Sequence, residues 1–306
     1  MKKIFLATAG VALIAVSAAT LGFAQPSSST GPTRAEATAP KLPPLPAEVK
    51  QRQRWVVGVK CDAPPFGYID VRGKNAGFDV EIARWFARYA FGREQRLSFT
   101  CAPTAAREPL LTTGRVDLVI STFTYTADRD TRIDFSRAYY KATGRLLVKN
   151  DSPIQSLADI RGKRIATTSG SIYDRWMKRC FTDTQVIVVD SVTSAILAFN
   201  QGRADAVMFD DTSLALVAST DRNAKLTNDL FLEGPYGIGI KQGNTALKRW
   251  VDARLELMKK KDIFQQILKN NLAPRFVTAF GKNILRPANT FGYPAPGSPS
   301  ADTVCP

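Results

Sequence analysis

A chain of 306 residues, 44% hydrophobic and 23% charged, has the apolar content for a packed core and the length for two lobes, which excludes a disordered protein. It carries 42 Lys and Arg against 27 Asp and Glu, so its field attracts anions. It contains no histidine, which excludes Ser-His-Asp and Cys-His nucleophilic sites, His-ligated metals and H-E-x-x-H proteases.

In chain order, Lys2 and Lys3 precede the apolar run "IFLATAGVALIAVSAATLGFA", and polar "QPSSST" follows. Residues 1–24 read as a secretory signal peptide cut after Ala24, with an uncleaved membrane anchor as the alternative. No cysteine directly follows the run, which argues against a lipid anchor. Residues 25–53, rich in Pro, Ser, Thr and Ala around "KLPPLP", lack the apolar surface to offset ordering and are expected to form a disordered tether.

From Arg54 the pattern alternates. "RWVVGV" predicts a strand, "FDVEIARWFARYAF" a helix, "RLSFTCA" a strand, "AREPLLTTG" a short helix and "VDLVIST" a buried strand. A second series follows: "RLLVK", helix "SLADIRG", strand "RIATT", helix "SIYDRWMKRC", strand "QVIVVD", helix "SAILAFNQG" and strand "ADAVMFD". "YGIGIK" and one long helix, "NTALKRWVDARLELMKKKDIFQQILKNN", close the folded part. Strands alternating with helices imply two α/β lobes with parallel sheets, in which ligands bind beyond the carboxyl ends of the strands.

Cys61, Cys101, Cys180 and Cys305 are an even number in an exported chain and suggest two disulfides, with three pairings open. A zinc site is disfavoured because there is neither a C-x-x-C pair nor a histidine, so no metal and no cofactor are expected. The basic residues are scattered, and the run Lys259–Lys261 sits on a predicted helix as a solvated face. No nucleic-acid partner is expected.

The stretch "STFTYTADRDTRIDFS" follows a buried strand with Ser121, Thr122, Thr124 and Thr126, then sets Arg129 and Arg132 among aspartates. A guanidinium offers a planar fork that fits a carboxylate, and threonine hydroxyls complete the hydrogen bonds. A capped loop with a surface ion pair among Asp128, Arg129 and Asp130 is the plainer alternative. The halves "LLTTGRVDLVISTFT" and "LAFNQGRADAVMFDDT" echo each other, and put Thr122 to Thr124 and Asp210 to Asp211 at equivalent strand ends.

With these stretches, together with "VGVKCDAPPFGYID", "GFDVEIAR", "SLADIRGKRIATTSGS" and "PYGIGIK", the region 54–271 resembles the family 3 solute-binding proteins of polar amino-acid ABC transporters. The resemblance is to the aspartate/glutamate-binding type. It implies an α/β, two-lobe periplasmic-binding-protein fold (type II) with two hinge strands, here near 144–149 and 235–240. Lobe 1 would comprise 54–145 and 240–285, lobe 2 would comprise 146–239, and 286–306 would be a Pro-rich tail. Cys61 and Cys101 end neighbouring strands of lobe 1, while Cys180 ends a helix of lobe 2. The expected disulfides are therefore Cys61–Cys101 and Cys180–Cys305, the second fixing the tail across lobe 2.

The same resemblance assigns the ligand α-carboxylate to Thr124 and Arg129, with Thr122 in the hydroxyl cluster, and to Thr168, Ser171 and the backbone of Ile172 at a helix start. Asp210 would take the α-ammonium. Asp211 is expected to cap a helix, and Arg132 and Asp134 to be structural. Many relatives carry an acidic residue at the position of Lys60 and an aromatic at that of Ala63. This chain departs there, and Lys60, Arg107 and Tyr236 would instead receive a side-chain carboxylate, with Phe66 walling the pocket. The implied protein is a periplasmic monomer that captures aspartate or glutamate and passes it to an ABC transporter permease. Alternatives are a cyclohexadienyl-dehydratase-like enzyme, a sensor, or a binder of glutamine or another polar amino acid.

Overall fold

The computed structural model describes residues 42–287, 292–294 and 298–306; the signal-peptide reading and most of the tether lie outside them. The first lobe is built on a five-stranded sheet in the order Leu97–Cys101, Trp55–Val59, Leu118–Ile120, Gly239–Lys241, Ile133–Phe135. The first three strands are mutually parallel, and Gly239–Lys241 runs antiparallel to both of its neighbours. Helices Phe78–Phe91, Thr245–Lys260 and Ile263–Asn271 bury Phe78, Phe86, Trp250 and Phe264 in one core with Trp55, Val57 and Val59. A second, smaller core on the opposite side gathers Leu111, Val119, Phe123 and Phe135.

The second lobe orders its strands Gln185–Val189, Arg164–Thr168, Ala206–Asp210, Tyr140–Lys149, Ala224–Leu226, and Phe231–Tyr236 also pairs with Tyr140–Lys149. Its core joins Leu146, Val148, Ile165, Val207 and Met208 to the inner faces of helices Ile172–Cys180, Val192–Asn200 and Asp211–Thr220. The chain crosses between the sheets twice, at 136–139 and at 237–238. The crossings bond to each other: Ser136 N–H donates to Ile238 O (2.9 Å), and Tyr139 N–H donates to Tyr236 O (3.0 Å). Residues 283–285 run beside them, with Lys141 N–H donating to Asn283 O and Leu285 N–H to Tyr139 O.

Four expectations shift. The tether ends early, because residues 47–52 form the helix Ala47–Arg52, which buries Val49 in the first core and pairs Arg52 with Asp117 at 2.5 Å. The first crossing precedes 144–149: Tyr140–Lys149 lies wholly in the second sheet, held from Tyr140 onward by Phe231–Tyr236, so the lobe boundary moves from 145 to about 139. The long final helix breaks in two at Asp262, whose φ of 52° is left-handed, so that Leu255 and Met258 before it and Ile263 and Ile267 after it reach one core. "SLADIRG" forms only a 3-10 turn, Leu157–Ile160, closed by reciprocal Ser156 and Asp159 bonds.

Both expected disulfides are formed, Cys61–Cys101 and Cys180–Cys305.

Candidate functional site

Strands of both sheets end toward the seam between the lobes, and the candidate residues sit on those ends. Lys60 directly follows Trp55–Val59, Thr122 and Thr124 follow Leu118–Ile120, Thr168 ends Arg164–Thr168 and Asp210 ends Ala206–Asp210. All of them are buried, as are Phe66, Arg107, Arg129, Ser171, Ile172 and Tyr236.

Arg129 lies on the one-turn helix Ala127–Asp130, which Thr126 caps by accepting the Arg129 N–H through its hydroxyl. Its guanidinium is 1% exposed and works within the protein: Nη1 donates to Thr124 O (2.7 Å) and Nη2 donates across the seam to Gly170 O (2.9 Å). Nε faces Glu108 Oε1 at 3.4 Å. Burial, then the neighbouring Arg107 and Arg175 charges, hold this guanidinium well below its ordinary pKa. Arg107 donates Nε to Thr104 O and Nη1 to both Ser121 O and Thr122 O, and lies 4.4 Å from the centre of the Phe123 ring. Burial pushes it down to about 10.

Lys60 is wholly buried. Its Nζ donates to Thr104 Oγ1 (2.7 Å) and stands 3.5 Å from Asp62, and burial outweighs that pair and lowers it to about 8. Asp62 also accepts the Val192 N–H at the start of a lobe 2 helix (2.8 Å), a carboxylate placed on the positive end of the helix dipole. Thr104 meets Thr168 at 3.4 Å, oxygen to oxygen. The seam is therefore bridged by Arg129–Gly170, Asp62–Val192 and Thr104–Thr168.

On the second lobe, Ser171 caps its helix by accepting the Asp174 N–H (3.0 Å), and Ile172 is the first residue of that helix. Gly170 before it has φ +72°, and a Cβ there would come within 3.1 Å of Ala105 Cα on the other lobe. The left-handed φ and this close approach favour glycine at the turn. Asp210 holds the N-cap position of Asp211–Thr220, displacing Asp211 from the expected capping role. Its carboxylate makes no cap bond and instead accepts the Tyr173 hydroxyl (2.7 Å). Burial raises the Asp210 carboxyl, against the pull of Tyr173, Arg107 and Lys60. Burial, then the Asp210 charge, push the Tyr236 phenol well up, and its buried hydroxyl has no hydrogen-bond partner among the described residues. Phe66 packs into the first core against Tyr140 (4.9 Å), Phe78 (5.2 Å) and Tyr236 (5.9 Å).

Sequence reasoning missed Asp79, Thr104 and Tyr173. Asp79 is fully buried and accepts the Thr122 N–H (2.7 Å) and the Tyr139 hydroxyl (2.8 Å), tying the loop after Leu118–Ile120 to the first crossing. Thr122 has φ +43°, and its buried hydroxyl has no hydrogen-bond partner among the described residues. The signal available was Asp79 inside "GFDVEIAR", an acid on the apolar side of its helix. Among the described residues no His/Cys/Asp/Glu cluster is placed to hold a metal.

Two α/β lobes meet at a seam lined by the buried cations Lys60, Arg107 and Arg129 and the buried carboxylate of Asp210, the arrangement of a two-lobe binding-protein fold. Residues 55–273 match the bacterial extracellular solute-binding proteins, family 3, and the chain belongs to that family. The ABC transporter glutamine-binding protein GlnH of Bacillus subtilis is 31% identical over 225 residues, 73% of this chain and 82% of that protein. A glutamine-binding protein of Geobacillus stearothermophilus is also 31% identical, over 78% of this chain and 92% of its own. Among solved structures, the solute receptor for L-cysteine of Neisseria gonorrhoeae superposes with a TM-score of 0.72 at 28% identity, covering 74% of this chain and 93% of that one. These relatives are named as binding proteins or solute receptors, and this chain is a solute-binding protein of the same family. Among the described residues no helix is long and apolar enough to cross a membrane.

Proposed function

We propose that this chain is an extracytoplasmic amino-acid receptor that closes on aspartate or glutamate and presents it to the permease of an ABC transporter, having lost residues 1–24 on export. The observation that carries the reading is the set of buried cations on one lobe, Lys60, Arg107 and Arg129, facing Asp210 on the other. Buried like charges are costly unless an anion compensates them. Lys60 has Asp62 and Arg129 has Glu108, whereas no carboxylate among the described residues lies within ion-pair distance of Arg107. A ligand α-carboxylate at Arg129, Thr124 and the Gly170–Ser171 turn, an α-ammonium at Asp210 and a second carboxylate toward Arg107 and Lys60 would balance the site. Thr122 and its unpartnered hydroxyl, Thr168 and Ile172 would flank the α-carboxylate, and Tyr236 the side chain. Phe66 would support Tyr236 from the core.

Glutamine is the second reading. It is favoured by the Lys60–Asp62 pair, which already neutralises one cation, and by the names of the Bacillus subtilis and Geobacillus stearothermophilus relatives. The test is calorimetry on unfolded-and-refolded protein with L-glutamate, L-aspartate, L-glutamine, L-arginine and L-cystine. Tightest binding of glutamate or aspartate is expected; a preference for glutamine or a cationic amino acid overturns the acidic assignment.

A further inference from the structure

Beyond the family match, the described tail residues 292–294 and 298–306 touch both lobes. On lobe 1, the Tyr293 ring stacks on Tyr125 with centroids 4.1 Å apart and planes at 15°, and its hydroxyl donates to Ser136 O at the first crossing. Ser300 Oγ accepts the Ala127 N–H (2.8 Å) at the start of the Arg129 helix. On lobe 2, Asp302 is 4% exposed and accepts from Arg175 Nε (2.8 Å). The Trp176 indole N–H donates to Val304 O (2.7 Å), and Cys305 is bonded to Cys180. Between these anchors, Ser300, Ala301 and Asp302 line a small cavity together with Thr124 of lobe 1 and Ile172 of lobe 2, two residues of the site just described.

We propose that this segment is a latch across the mouth of the inter-lobe cleft, which holds the closed form and slows ligand exit. Rotation of the lobes about the crossings separates Tyr125 and Ala127 from Arg175 and Trp176, so the tail must release one side for the cleft to open. The Cys180–Cys305 bond makes the lobe 2 side permanent, and the lobe 1 contacts are therefore the ones that break. Because the tail stays tethered, they re-form at the high effective concentration of an intramolecular contact. A disulfide that only stapled lobe 2 would require neither Tyr293 on Tyr125 nor Ser300 on Ala127.

The proposal rests on the cleft being a ligand site for its kinetic arm only. In that arm, stopped-flow release of bound L-glutamate, and of L-glutamine, is timed for the full chain, for Cys180→Ser/Cys305→Ser and for Tyr293→Ala. Release about tenfold faster in both variants is expected. In the second arm, small-angle scattering without ligand compares the same three proteins, and a larger radius of gyration is expected for both variants. Tyr293→Ala keeps both disulfides and is decisive if the cysteine variant does not fold. Equal release rates and equal scattering profiles overturn the proposal. So does acceleration in the cysteine variant alone, since the lobe 1 contacts would then take no part. If neither amino acid binds, the scattering comparison tests the latch by the same criteria.

Discussion

Arg129 Nη2 donates to Gly170 O at 2.9 Å, so one buried guanidinium of the first lobe grips the backbone of the second. The bond joins the proposed carboxylate anchor to the closing movement. Arg129→Met is expected to lose binding of every amino acid, by about 2–5 kcal/mol or more, because both the anchor and the cross-lobe bond go. Calorimetry against a panel of amino acids checks this, and an affinity within a few-fold of wild type refutes the role.

Arg107 supports three backbone carbonyls as well as offering charge. Arg107→Met should weaken glutamate more than glutamine, narrowing the difference between them. It should also lower stability by about 1–3 kcal/mol, since buried carbonyls lose their donor. Equal loss for the two ligands would show that the side chain shapes the loop and does not read the ligand's second carboxylate.

Asp79 predicts a pH dependence. Burial raises its carboxyl from 3.8 to about 7, against the Thr122 and Tyr139 hydrogen bonds. A carboxyl raised in the fold binds its proton more tightly there than in the unfolded chain. Its contribution to stability is complete below pH 3.8 and is lost as pH rises through about 7. Urea unfolding at pH 5 and pH 8 should therefore show wild type losing more stability than Asp79→Asn over that interval, by an amount on the order of a few kcal/mol. Parallel curves would place the ionisation elsewhere.

Gly170→Ala separates backbone strain from closure. The left-handed φ costs about 1–2 kcal/mol in either hinge state and should appear as a lower Tm. The approach of the new Cβ to Ala105 exists only when the lobes are shut, so affinity should fall by more than the stability loss implies. Unchanged affinity would mean that this turn does not come so close to the first lobe when ligand is bound.

Export is checked by intact mass: mature protein recovered outside the cytoplasmic membrane should begin at Gln25. Retention of Met1 to Ala24 would support the anchored alternative.

The polar clusters at Thr122 to Thr124 and Asp210 to Asp211 were readable because they directly follow buried apolar runs, whereas the roles of Arg129 and Thr168 came from the family resemblance, the local pattern leaving Arg129 open to a capped loop. Asp79 was harder to read, because an acid in the first turn of an amphipathic helix ordinarily faces water, and only its distant partners Thr122 and Tyr139 explain its burial. The helix Ala47–Arg52 escaped notice because a single buried residue, Val49, leaves no periodicity in a Pro-rich stretch. The tail's lobe 2 anchor followed from matching Cys61 with Cys101 on neighbouring strand ends, which left Cys180 for Cys305. Its lobe 1 contacts, Tyr293 on Tyr125 and Ser300 on Ala127, join residues more than a hundred positions apart, and no local pattern encodes them.

The Cys61–Cys101 bond closes the ends of two parallel strands in register, Val59 opposite Cys101, one residue beyond Lys60 and three before Thr104. Strand ends that carry pocket residues are where a sheet frays, and every freedom lost on binding subtracts from affinity. Here that loss is met when the chain folds and oxidises. If Lys60 and Thr104 line the proposed pocket, this cross-link would hold their wall in shape whether the lobes stand apart or together, and a bound solute would have only the relative placement of the lobes left to order.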